Sequence, residues 1–180
     1  MNVFETIFTF LESKLPHTTI SVGGKPYLTR CYLFGKDRTW GNIYLHHFHA
    51  SDQGLELHNH PWEWGYSFVL SGGYLEERIN DPCQIQYVNN KIVYSHAKNC
   101  EAERGRCEPP ICFMKIERRL VKPRSFNMIR STNFHRVDLL DEKAGAWTLF
   151  FTGPRAKSWG FIDRTTSEFR DWTTNPDAIP

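Results

Sequence analysis

In the segment Leu55-Glu56-Leu57-His58-Asn59-His60-Pro61, two histidines stand two residues apart. Side chains alternate from face to face along an extended backbone, so this spacing sends both imidazoles to one side. Neutral imidazole is a common ligand for divalent transition metals, and such a pair is part of a facial ligand set. A third imidazole must come from a distant strand, and Phe134-His135-Arg136-Val137 supplies one in a strand-like context. The remaining coordination positions would be open to water, oxygen or substrate. His-X-His by itself is equally the pattern of two hydrogen-bonded or surface histidines. The surroundings favour ligands: Gly54 precedes the pair, Pro61 follows it, and a β-like run closes on Ser71-Gly72-Gly73.

Other residues with chemical potential surround this core. An anionic substrate would need a counter-charge, and Arg78, Arg130 and Arg136 each lie close in sequence to a motif strand. Alternation points Arg136 away from a metal held by His135. His46, His47 and His49 crowd one strand, where His47 and His49 share a face; a surface role is expected, with His47 or His49 orienting a metal ligand. His96 with Cys100, Cys107 and Cys112 contains no Cys-X-X-Cys pair, so a structural zinc is not expected there.

These residues need strands to position them. Phe4, Ile7 or Phe8, Leu11 and Leu15 recur at helical spacing, with Asn2 able to cap the start and Pro16 marking the end, so one short amphipathic helix opens the chain. From residue 26 onward, runs rich in Val, Ile, Tyr, Phe, Trp and Thr alternate with Gly, Pro, Asn and Asp breaks, the habit of short strands. Strands are expected at 27–34, 42–49, 66–70, 74–78, 84–88, 91–96, 111–116, 125–130, 134–140 and 146–152. Ser71-Gly72-Gly73 and Asn89-Asn90 read as tight hairpin connections. The polar stretch from Ala97 to Pro110 reads as an exposed loop. A last β-like piece, Trp159 to Ile162, precedes a brief helix expected from Thr165 through Trp172. The expectation is a single all-β domain, a sandwich or closed barrel with a small C-terminal extension.

Composition narrows the function classes. The chain of 180 residues is long enough for one buried core, and its 22 basic against 20 acidic residues create no field favouring nucleic acid or an anionic membrane. Residues 1–15 carry Glu5 and Glu12 and do not read as a signal peptide, and charged or polar residues interrupt every apolar run. Five scattered cysteines fit reduced thiols and a cytoplasmic location.

With Gly54, His58, His60, Gly72 and later His135, the sequence resembles the cupin superfamily over residues 40–152. The first cupin motif runs glycine, His-X-His, a glutamate, then a β-run closing on glycine; the second ends in one histidine. The resemblance implies a double-stranded β-helix, a jelly-roll barrel, holding a divalent metal, Fe(II) first and zinc, manganese or nickel as alternatives, on His58, His60 and His135. The glutamate place falls on Gly65, while Glu63 stands nearby off register, reachable if a bulge at Pro61-Trp62 turns it inward. With Glu63 the site has three histidines and a carboxylate; without it, three neutral imidazoles leave the metal its full charge, an arrangement similar to that of thiol dioxygenases. If Gly65 faces inward, so do Ser67 and Val69, which makes Ser67 a substrate contact and leaves Tyr66, Phe68 and Leu70 to be covered by the helix or by a second layer including Trp147, Leu149 and Phe151. The function so implied is an Fe(II) oxygenase acting on a small polar or anionic molecule, alternatively a Lewis-acid isomerase or hydrolase, or a non-catalytic ligand-binding barrel. A homodimer is expected by analogy with cupins that pair through their sheets.

Overall fold

The structure, a computed structural model, describes residues 3–36, 39–79, 84–88, 91–95, 116–164 and 169–174. Helix α1 (Val3–Lys14) carries Glu5 in its first turn and Lys14 in its last, charges that suit the two ends of its dipole. The strands in chain order are β1 (His17–Val22), β2 (Lys25–Tyr32), β3 (Asn42–Phe48), β4 (Leu57–His58), β5 (Trp64–Ser71), β6 (Tyr74–Ile79), β7 (Gln84–Val88), β8 (Lys91–Ser95), β9 (Ile116–Val121), β10 (Phe126–Arg130), β11 (His135–Leu139), β12 (Ala146–Thr152), β13 (Gly160–Ile162) and β14 (Phe169–Asp171).

Two six-stranded antiparallel sheets form, in the order β1-β2-β3-β12-β5-β10 and β14-β13-β4-β11-β6-β9, with β7 and β8 as a separate hairpin. The inner strands β3-β12-β5-β10 and β4-β11-β6-β9 define a double-stranded β-helix, because the chain changes sheet from β3 to β4, β4 to β5, β5 to β6, β9 to β10, β10 to β11 and β11 to β12. Apolar side chains from both sheets meet between them: Val69, Tyr74, Val121, Val137, Leu139 and Ala146 form one cluster. A second cluster, Leu57, Ile79, Phe134 and Ile162, packs with Phe169 on the other face of the β4-β11-β6 sheet, since each alternates with an inward-facing neighbour.

Three expectations change. Ser71-Gly72-Gly73 is not a hairpin, since β5 and β6 lie in opposite sheets. It is a sharp crossing, in which a Cβ on Gly72 would sit 2.3 Å from the Gly145 carbonyl oxygen and one on Gly73 would sit 2.9 Å from that of Val121. Residues 169–171, expected in a helix, pair as β14 with β13. Trp147, Leu149 and Phe151 are not a second layer, because β12 pairs directly with β5 and belongs to the same sheet. The layer over Leu70 is α1, whose Phe8 and Leu11, with Leu15 just beyond its end, pack with Cys31, Leu45 and Trp147. The strand expected at 84–88 pairs with 91–95 as read, whereas the loop 97–110, His96 and Cys100, Cys107 and Cys112 lie outside the described residues. No helix among the described residues is long and apolar enough to cross a membrane.

Candidate metal centre

Strand β4 is two residues long and lies between β11 and β13, with His58 opposite both His135 and Phe161. Directly opposed residues in an antiparallel pair bring their side chains together, and the His58 and His135 rings are 4.7 Å apart between centroids. His60, two residues on, reaches the same place, with its ring 5.0 Å from that of His135. One nitrogen from each of His58, His60 and His135 lies within 4.8 Å of those of the other two.

Each imidazole is held from behind or beside. His135 Nδ1 donates to Glu76 Oε1 at 2.8 Å, which leaves Nε2, turned toward the centre, as the nitrogen that would ligate a metal. His58 Nδ1 lies 3.5 Å from Asp52 Oδ2. That same oxygen accepts from the Val137 main-chain N–H at 2.7 Å, while Tyr27 Oη donates to Asp52 Oδ1. His60 stacks on Trp62 at 5.3 Å. Its Nε2 is 2.8 Å from His135 Nε2. Two nitrogens about 2.1 Å from one metal sit roughly 3.0 Å apart at a right angle and about 3.4 Å apart in a tetrahedron, so a small opening of the pair accommodates an ion. The donor set fits a divalent transition metal.

Electrostatics keep the ligands in the state a metal needs. Burial pushes His58 down to about 4, against the attraction of Asp52, with His135 adding to the depression. Burial, then His135 and His58, hold His60 well below the ordinary histidine range. Both rings are therefore uncharged near neutrality. Glu76 is fully buried, which by itself would raise its pKa; its hydrogen bond to His135 and the charges of His135 and Arg78 prevail and hold it at about 2.

The residues read from the sequence distribute as follows. His58, His60 and His135 come together. Glu63 does not join them, because alternation through His58, His60 and Trp62 leaves it exposed, and no bulge turns it in. Its N–H donates to the Pro154 carbonyl at 3.0 Å and its carbonyl accepts from Ser131 N–H at 3.2 Å, which fixes that orientation. Gly65 faces inward as expected, and a Cβ there would lie 2.7 Å from Phe150 Cζ, so the ring of Phe150 occupies the place of the usual carboxylate. Ser67 is buried and lines the cavity described below. Arg78 does not face that cavity: its Nη2 donates to both Glu76 oxygens at 2.9 Å and to Asn127 Oδ1 at 3.0 Å. Arg130 is exposed, since Asn127 and Ile129 take the inward positions of β10. Arg136 points away as read and pairs with Asp138. His47 and His49 orient no triad ligand; they gather on the outer face with Glu12 of α1, where His47 Nδ1 is 3.1 Å from Glu12 Oε2. The residues that do orient ligands, Asp52 and Glu76, carried no sequence signal, since an acidic residue in a loop or strand looks the same whether solvated or buried.

The triad opens on a cavity of about 740 Å³, whose walls include Tyr27, Tyr44, Trp62, Phe150, Trp159 and Phe161. A site of this size takes a small organic molecule.

No protein-family model matches the chain, and no curated protein matches it. Among solved structures, the chain aligns with Fe(II)-HppE carrying the alternative substrate (S)-1-HPP at 8% identity and TM-score 0.48, over 78% of this chain and 57% of that one. It aligns with hydroxypropylphosphonic acid epoxidase from S. wedmorenis at 9% identity and TM-score 0.45, over 78% and 56%. With recombinant oxalate oxidase in complex with glycolate the values are 13% and 0.42, over 80% and 53%. The chain therefore spans little more than half the length of each of these structures. Its own strand order, β3-β12-β5-β10 facing β4-β11-β6-β9, is what assigns it to the double-stranded β-helix.

Proposed function

We propose that the chain is a metal-dependent oxygenase that binds Fe(II) on His58, His60 and His135 and acts on a small polar or anionic molecule. The observation that carries this reading is the convergence of three imidazoles on the wall of one cavity, two of them facing a carboxylate through Nδ1. Bound there, a ferrous ion would supply redox access to oxygen and open positions for a substrate group. With no carboxylate among the proposed ligands, the ion keeps its full positive charge and favours an anionic substrate group such as a thiolate or carboxylate, as in the resembling thiol dioxygenases. The chain's own residues do the rest: Asp52 and Glu76 hold the imidazoles in place, while Trp62, Phe150 and Phe161 line the cavity beside the centre with aromatic rings.

Metal analysis of gently purified protein should find one equivalent in the wild type and none in a His58→Ala, His60→Ala double variant. Equal content in the two would remove the metal centre. Oxygen uptake by the iron-loaded protein during turnover separates this reading from a Lewis-acid isomerase or hydrolase, which would turn over without consuming oxygen.

A further inference from the structure

The inner wall beside the triad carries a row of polar groups that the metal centre does not use. Arg30 of β2 is paired in register with His46 of β3, and His46 with Thr148 of β12. The three therefore stand side by side across adjacent strands, and all three line the same cavity as His58, His60 and His135. His46 and Thr148 are among the most buried polar residues, at 4% and 1% exposure.

Each of the three carries an unsatisfied polar atom. Arg30 Nε, His46 Nε2 and Thr148 Oγ1 are buried without a hydrogen-bond partner. Among the described residues, no carboxylate pairs with Arg30. Its guanidinium instead lies over the rings of Tyr44, at 5.2 Å, and Trp62, at 5.7 Å. His46 is clamped between Tyr44 at 5.4 Å and Phe150 at 5.1 Å, so its ring is fixed. Unpaired buried polar atoms and an uncompensated cation are costly to maintain, and one missing group, an oxyanion, would answer all of them with His46 in its Nε2–H tautomer. The guanidinium fork matches a carboxylate or phosphonate in two parallel hydrogen bonds, with an imidazole N–H and a hydroxyl beside it.

We propose that Arg30, His46 and Thr148 anchor the acidic group of the substrate, which makes the substrate a small organic acid held by its oxyanion at one end and presented to the triad at the other. The reach is short, because Trp62 and Phe150 each contact both places: the His60 ring is 5.3 Å from Trp62 and 6.3 Å from Phe150. A chain of a few carbons spans it. This assignment of substrate class rests on the metal-centre reading for its second half, while binding of the acid group depends on the row alone.

Ligand-observed saturation-transfer NMR on metal-stripped protein tests the row directly, with propionate, methylphosphonate and the uncharged propionamide as probes. At least one anion should bind and propionamide should not, and whichever anion binds more tightly identifies the acid as carboxylic or phosphonic. Arg30→Met should weaken that binding at least tenfold, and Thr148→Val by a smaller factor. Arg30→Lys, which keeps the charge and the fold but not the fork, should retain part of it. Binding of propionamide equal to that of propionate would overturn the proposal, as would anion affinity within twofold of wild type in Arg30→Met, or in Arg30→Lys and Thr148→Val together should Arg30→Met not fold. The His58→Ala, His60→Ala variant separates the two readings: anion binding kept there supports the row whatever the metal analysis shows, and anion binding lost there counts against it.

Discussion

Behind two of the triad imidazoles sit buried carboxylates, and they are held differently. Asp52 is fixed by the Val137 N–H and by Tyr27, whereas Glu76 is neutralised by Arg78. Replacing Glu76 with Gln keeps an acceptor for His135 but leaves the Arg78 charge largely buried. Glu76→Gln should lower metal affinity by about 10- to 100-fold, read by competition against a chromogenic chelator. It should also cost about 3–5 kcal/mol in urea denaturation, a loss mostly recovered in the Glu76→Gln, Arg78→Met double variant if the uncompensated charge is its cause. At this scale the pairing of His58 with His60 was legible, because it follows from two-residue alternation alone. Glu63 and Arg78 were misplaced for the same reason that Asp52 and Glu76 were missed: whether a charged side chain is exposed or buried depends on what the other sheet brings against it.

At the scale of elements, two contacts determine how the site is framed. Gly65 of β5 faces Phe150 of β12, and the missing side chain is what admits the ring. Gly65→Ala should force Phe150 off its position and destabilise the fold by about 1–3 kcal/mol, measurable as a drop in urea midpoint at unchanged slope. Helix α1 covers the opposite face of that sheet. Cys31 beneath it is fully buried, and burial, then Glu12, pushes its thiol up to about 11. Cys31 should resist alkylation near neutral pH in the intact chain and react when residues 3–14 are removed, as read by peptide mapping. Equal labelling of Cys31 in both would show that α1 does not seal this face. Most strands and the helix were legible from periodicity. The crossing at Gly72-Gly73 was not, because Ser-Gly-Gly looks the same between hairpin strands as between strands of facing sheets.

For the whole molecule, the depressed histidines couple stability to pH. His58 titrates near 4 in the folded chain against an ordinary value of 6.5, so the unfolded chain takes up the proton first. The stability of the metal-free protein should be complete above pH 6.5 and fall as pH drops toward 4, by about 3 kcal/mol from His58. His60 adds loss in the same direction. Glu76, held at about 2 against 4.5, contributes a second loss as pH falls from 4.5 toward 2. Urea denaturation across this range checks the order of the two phases, and a flat profile between pH 6.5 and 4 would contradict the burial of His58. By itself the sequence determined the β-rich class, the opening helix, the common face of His58 and His60, and the inward turn of Gly65, Ser67 and Val69, all consequences of periods two and 3.6 along a local backbone. Only the tertiary structure decided which sheet each strand joins, that Asp52 and Glu76 stand behind the triad, and that Arg30, His46 and Thr148 form one row beside it in the same cavity. Those relations arise between strands far apart in sequence, where pairing register and the exclusion of water set the partners, and no local pattern encodes either.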